Sequence, residues 1–160
     1  MKNQILTLLE QDSHLTAAKI AVMLGKDEAE VKAAISELEN DNIILGYKTI
    51  VNWELTDRQT TVAHIELKIT PQRGGGFDTV AERIYKFPQV KSVILMSGPY
   101  DLLVTVEGKS LKEISMFVAE RLAPMEAVIS TATHFELKTY KSNGVIYAEP
   151  EKDDREVLGI

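Results

Sequence analysis

The chain reads as an α+β protein in two parts, a helical segment over residues 1–45 and a β-α-β-β-α-β domain over residues 62–144. Three observations predict this. Apolar residues recur three and four apart up to Leu38, the period becomes two from Thr61, and the later runs alternate in the order strand, helix, strand, strand, helix, strand.

The first helix is expected over residues 2–11, with Ile5, Leu8 and Leu9 on one face. The second begins after Thr16, a good N-cap, and carries Ala17, Ile20, Ala21 and Leu24 before Gly25 ends it. Asp27 and Glu30 form a capping-box-like pair ahead of a third helix striped by Val31, Ile35 and Leu38, and Ile43-Ile44-Leu45 is expected to close the unit. Small Ala21, the turn at Gly25 and Val31 fit a helix-turn-helix, although a bare three-helix bundle would pack the same way. Residues 46–61 read as a short extended segment and linker.

From Thr61, Ala63, Ile65, Leu67 and Ile69 alternate with Val62, His64, Glu66 and Lys68, the mark of a strand with one apolar face. Pro71 and Gly74-Gly75-Gly76 end it. Phe77, Val80, Ala81, Ile84 and Phe87 return to helical spacing, stopped by Pro88. Val90–Met96 and Leu102–Glu107 read as a hairpin around Ser97-Gly98-Pro99-Tyr100-Asp101. Ser110 with Glu113 opens the next helix, and a last strand is expected through Leu137, giving a ferredoxin-like order.

Composition excludes several functions. With no cysteine there is no disulfide, thiolate nucleophile or Cys-based zinc site, and no Ser/His/Asp grouping or Walker-type loop suggests an enzyme. The three glycines after Pro71 lack a following Gly-Lys-Ser/Thr. No signal peptide or membrane span is apparent, so a cytoplasmic protein is expected. The net charge of −6 is concentrated at the ends: residues 1–45 hold four lysines against eight carboxylates, and residues 145–160 form an acidic tail.

A helix-turn-helix, a short strand and then a βαββαβ domain resembles the Lrp/AsnC regulators over nearly the whole chain. L-E-N-D-N-I-I-L-G-Y from Leu38 to Tyr47 resembles the family's helix-three exit and wing, and I-V-N from Ile50 to Asn52 the strand beyond. S-G-P-Y-D-L-L from Ser97 is similar to its Gly-x-x-Asp hairpin, and I-S-T-A-T-H-F-E-L-K from Ile129 to its last strand. The resemblance implies a winged helix-turn-helix reader of double-stranded DNA, homodimers and higher oligomers built through paired sheets, and an amino acid or related effector.

The resemblance puts the effector at Gly98, Pro99, Tyr100 and Asp101, with Thr131 nearby. Glycine admits close approach, turn N–H groups can take a carboxylate, and an aspartate can pair with an α-ammonium. The plain alternative is a hairpin whose Asp101 bonds its own backbone, and either way replacing Asp101 is expected to spare the fold. Where the family carries arginines on helix three, the aligned positions here read as Ala34 and Glu37, leaving Lys26, Lys32 and Ser36, with Lys48 in the wing, as DNA contacts. So acidic a head is expected to bind weakly per subunit, with several heads in an oligomer recovering affinity; the alternative is a head that has lost DNA binding and only packs, mixes with a paralogue or contacts a protein. His64 and His134 are expected to share one sheet face, without a third metal ligand. Val62, Ile65, Leu67, Phe135 and Leu137 are expected to spread over both faces of the first and last strands, more than two helices could cover, and so to call for a second copy.

Overall fold

The structure is a computed structural model that describes residues 1–71 and 75–147. The chain divides into two compact units, Met1–Val51 and Asn52–Ile160. Gly74 and residues 148–160 of the expected tail lie outside the described residues.

The first unit comprises α1 (Lys2–Gln11), α2 (Ala17–Leu24) and α3 (Glu28–Asn40). Local chemistry sets their ends. Thr16 Oγ1 accepts the Lys19 N–H at 3.3 Å, Gly25 closes α2 in the left-handed region at φ 62°, and Asp27 Oδ1 accepts the N–H groups of Ala29 and Glu30 at 2.8 and 3.4 Å. Ile5, Leu9, Ile20, Ala21, Val31, Ala34 and Leu38 form the core, with Ile44 packed against it. Ile43 and Leu45 do not close that core as expected: they are 54% and 88% exposed, because the three-residue run turns only one side chain inward. Beyond it, residues 46–51 form no helix or strand, and among the described residues no strand pairs with them.

The second unit holds β1 (Thr61–Ile69), α4 (Asp78–Tyr85), β2 (Val90–Leu95), β3 (Leu102–Gly108), α5 (Leu111–Phe117, continued by a π-helical turn Val118–Leu122) and β4 (Val128–Phe135). The sheet is antiparallel in the order β2-β3-β1-β4. Alternation drives every second residue of β1 and β3 under the helices: Ala63, Ile65, Leu67, Leu102, Val104 and Val106 are buried with Val80, Ile84, Ile114, Phe117 and Leu122. Phe87 meets Phe117 edge-on at 5.2 Å, fastening α4 to α5. Ser110 caps α5, its Oγ accepting the Glu113 N–H, and Glu113 Oε2 reaches back one residue past the cap to accept the Lys109 N–H in place of the Ser110 N–H of a strict capping box.

Two expectations change. Of the five apolar residues expected over both faces, Val62 alone lies on the open face, opposite Glu107: Ile65 and Leu67 lie under the helices, Phe135 opposes Ala63 on that same side, and Leu137 falls past the end of β4, 95% exposed. The opposite face is mixed: period-two alternation carries His64, Glu66 and Lys68 of β1 there beside Thr105, Glu107 and His134, together with Val62, Leu103 and the half-exposed Ile94. The tail read from residue 145 begins as a strand, β6 (Val145–Ile146), paired with β5 (Lys141–Ser142). Asn143 and Gly144, both at positive φ, supply the tight turn.

Candidate functional site

The β2–β3 turn sits at the end of the sheet where β1 stops pairing with β3. The Asp101 N–H donates to the Leu67 carbonyl at 2.9 Å, Asp101 Oδ2 accepts the Ile69 N–H at 2.8 Å, and the Asp101 carbonyl accepts the Met96 N–H at 2.8 Å. The Asp101 carboxylate therefore bonds β1, not the backbone of its own turn, while the Asp101 carbonyl closes the hairpin on Met96, so the carboxylate is partly occupied. That leaves Oδ1 for any ligand ammonium. Between these anchors, the N–H groups of Gly98 and Tyr100 have no acceptor among the described residues. Gly98 is exposed, and a Cβ built there would meet nothing within 4 Å, so within one chain its neighbourhood is open. Thr131 opposes Leu67 from the β4 side. Asp101 and Thr131 thus flank one residue of β1, their backbones about 10 Å apart across it, twice the ordinary strand spacing.

On the open sheet face, His64 and His134 oppose each other directly, and each imidazole turns to a carboxylate diagonally across: His64 Nε2 to Glu136 at 3.3 Å, His134 Nε2 to Glu66 at 3.4 Å. No cluster of three or more metal-type ligands occurs among the described residues.

In the head, Lys32 and Ser36 lie one turn apart on the exposed side of α3, and Lys26 and Lys48 are exposed on the segments before and after it. None of the three lysines enters an ion pair among the described residues. Ala34, aligned by resemblance with a DNA-contacting arginine, is buried in the core and cannot face DNA, whereas Glu37 is exposed and held by Lys2 at 2.6 Å. Tyr47 donates to Glu39 at 3.0 Å. Burial first, then that hydrogen bond and the Glu39 charge, raise its phenol above the ordinary 10.0.

A winged helix-turn-helix DNA-binding model matches residues 2–44, covering α1 to α3, and an Lrp/AsnC ligand binding domain model matches residues 62–146, from β1 to the small hairpin. The chain belongs to the Lrp/AsnC family. It is a DNA-binding transcriptional regulator with a ligand-binding domain, and not an enzyme. This Lrp/AsnC chain is 41% identical over 158 residues to the uncharacterized HTH-type transcriptional regulator YugG of Bacillus subtilis, covering 98% of this chain and 95% of that one. It is 25% identical to the regulator FL11 of Pyrococcus furiosus over 86% of this chain and 88% of the relative. Among solved structures, a Neisseria meningitidis transcriptional regulator in complex with L-methionine superposes with a TM-score of 0.71 at 21% identity, covering 93% and 94% of the two chains. The Mycobacterium tuberculosis leucine response regulatory protein does so at 0.73 and 19%, covering 89% and 94%. Such likenesses carry the Lrp/AsnC fold. Among the described residues no helix is long and apolar enough to cross a membrane.

The sequence reading missed two features of this regulator. The anchoring of Asp101 on β1 joins residues 32 apart and left no local signal. A cluster of Trp53, Arg58 and Glu107 also escaped notice, although Asn52 and Thr56 on either side of Trp53-Glu54-Leu55 mark a capped turn.

Proposed function

We propose that this regulator binds specific DNA sequences in the cytoplasm and changes its affinity for them on binding an amino acid or a closely related metabolite. The observation that carries this reading is the turn Gly98 to Asp101. Its N–H groups at Gly98 and Tyr100 have no acceptor among the described residues, while Asp101 pins the turn to β1. Unpaired N–H groups on a fixed turn suit a carboxylate, and the remaining Asp101 oxygen suits an ammonium within the same small molecule. Pro99 stiffens the turn, Tyr100 and Thr131 border it, and the L-methionine complex of the Neisseria relative supports the ligand class.

Homo-oligomers join the sites to the DNA heads. An effector that prefers one arrangement of copies shifts the population of assemblies and the spacing of heads, so affinity changes without contact between effector and head. Lys26, Lys32 and Lys48 take phosphates and Ser36 a base edge. Calorimetry across the common amino acids, L-methionine first, combined with fluorescence anisotropy on DNA from the region upstream of its own coding sequence, tests the reading. Binding of one amino acid that also shifts the anisotropy titration is expected. If no amino acid binds, or if light scattering finds a stable monomer at micromolar concentration, the reading falls.

A further inference from the structure

We propose that residues 52–58 form a latch that fastens the linker to the sheet and sets how much free chain separates the DNA head from the ligand-binding domain. The segment N-W-E-L-T-D-R folds upon itself. Asn52 Oδ1 accepts the Glu54 N–H at 3.1 Å, Thr56 sends its N–H and hydroxyl to the Trp53 carbonyl at 3.0 and 2.9 Å, and Thr56 Oγ1 accepts the Arg58 N–H at 3.3 Å. This knot turns Arg58 back over the indole, with its guanidinium carbon 4.3 Å from the ring centroid of Trp53. The same guanidinium reaches Glu107 Oε1 through Nη2 at 2.5 Å.

Glu107 is fixed in β3, opposite Val62, and its other oxygen lies 3.8 Å from Lys91 Nζ. A carboxylate rooted in the sheet thus holds a cation, and that cation holds the aromatic ring of the linker. Each contact alone is modest at a partly exposed site, but both close over the same guanidinium, so losing either loosens the other. With the latch shut, chain anchored to the sheet begins at Trp53. With it open, anchoring begins at Thr61, and residues 53–60 join the tether, adding up to roughly 26 Å at ~3.3 Å per residue. A longer tether dilutes one head relative to its neighbour and weakens their joint hold on DNA.

This inference rests on the reading that several heads act together, and its test separates the two. The protein has a single tryptophan, so its fluorescence reports the latch directly. In full-length Arg58→Ala and Glu107→Ala, acrylamide quenching of Trp53, 42% exposed with the latch shut, should rise up to about twofold as the ion pair and cation–π contact open. Lys91→Ala, which removes the other cation beside Glu107, should leave it unchanged. Anisotropy is then measured on the upstream duplex that wild type protects, and on the same duplex with about five base pairs, half a helical turn, inserted at its centre. Wild type should lose much more affinity on insertion than the two latch variants. Unchanged quenching in both variants, an equal effect of Lys91→Ala, or an insertion penalty that persists after the latch opens would each overturn the proposal. A wild type that tolerates the insertion would sink the cooperative heads and with them the tether role, while quenching would still report whether the latch exists.

Discussion

The carboxylate of Asp101 accepts the N–H of Ile69 at 2.8 Å, at the point where β1 has finished pairing with β3 and its register with β4 slips. A side chain there takes the place of a missing strand partner. Asp101→Ala leaves that N–H without its acceptor and should destabilise the domain by about 1.5–3 kcal/mol, the range for a hydrogen bond to a charged group. Asp101→Asn keeps an acceptor and should lose less than half as much. Urea denaturation measures both, and equal stability of the three proteins would contradict the role. Effector binding measured on Asp101→Ala therefore mixes two effects: the fold is still expected to survive the replacement, but at reduced stability.

Gly98 offers the cleaner probe. It has open space around its missing Cβ and no positive φ, so Gly98→Val should change stability by less than about 0.5 kcal/mol. Effector affinity should fall at least about tenfold, or ~1.4 kcal/mol, because the new side chain occupies the approach to the turn. The same substitution at Gly25, held at φ 62°, should cost about 1–2 kcal/mol of head stability. Calorimetry and thermal melts on the two variants should show opposite patterns.

Tyr47 gives the head an alkaline limit. Burial and the Glu39 carboxylate favour its neutral form in the folded state, raising its pKa above 10.0, so the stability it contributes is complete below pH 10.0 and is lost as pH rises through the raised value. The effect is small because the ring is half exposed. Glu39→Gln should bring the titration, followed by phenolate absorbance, back toward the ordinary value. A titration unmoved by Glu39→Gln would remove the cause assigned here.

Salt separates phosphate contacts from base contacts. Lys26→Ala, Lys32→Ala and Lys48→Ala should each lower DNA affinity and reduce the slope of log K against log salt by about 0.9. Ser36→Ala, which removes no charge, should lower affinity for the preferred sequence at unchanged slope. Anisotropy titrations at several salt concentrations distinguish them, and a lysine variant with the wild-type slope does not touch phosphate.

How far the sequence could be read follows from the range of each interaction. Thr16, Gly25, Asp27 and Ser110 act within four residues, and their neighbours announce what they do. The apolar alternation of β1 located its buried face. It could not say that Phe135 shares that face, because the face of β4 depends on pairing with β1 across 72 positions, Ala63 opposite Phe135. Asp101 was legible as a candidate by residue type and turn, but its partner on β1 was not. Ala34 shows the converse: position in a motif suggested an exposed reader, while its place on the helix, three residues from Val31 and four from Leu38, turns it inward.

The carboxylates exposed along α3 also bear on how such a protein finds its place on a chromosome. Genomic DNA is a vast sink for basic proteins, which spend most of their time bound to irrelevant sequence and sliding along it. On the proposed reading, a head with twice as many carboxylates as lysines should be only feebly retained by that sink. More of the population should then stay in free solution, the search should proceed chiefly by three-dimensional diffusion, and occupancy of the operator should follow the concentration of the regulator nearly in proportion instead of being buffered by the bulk of the genome.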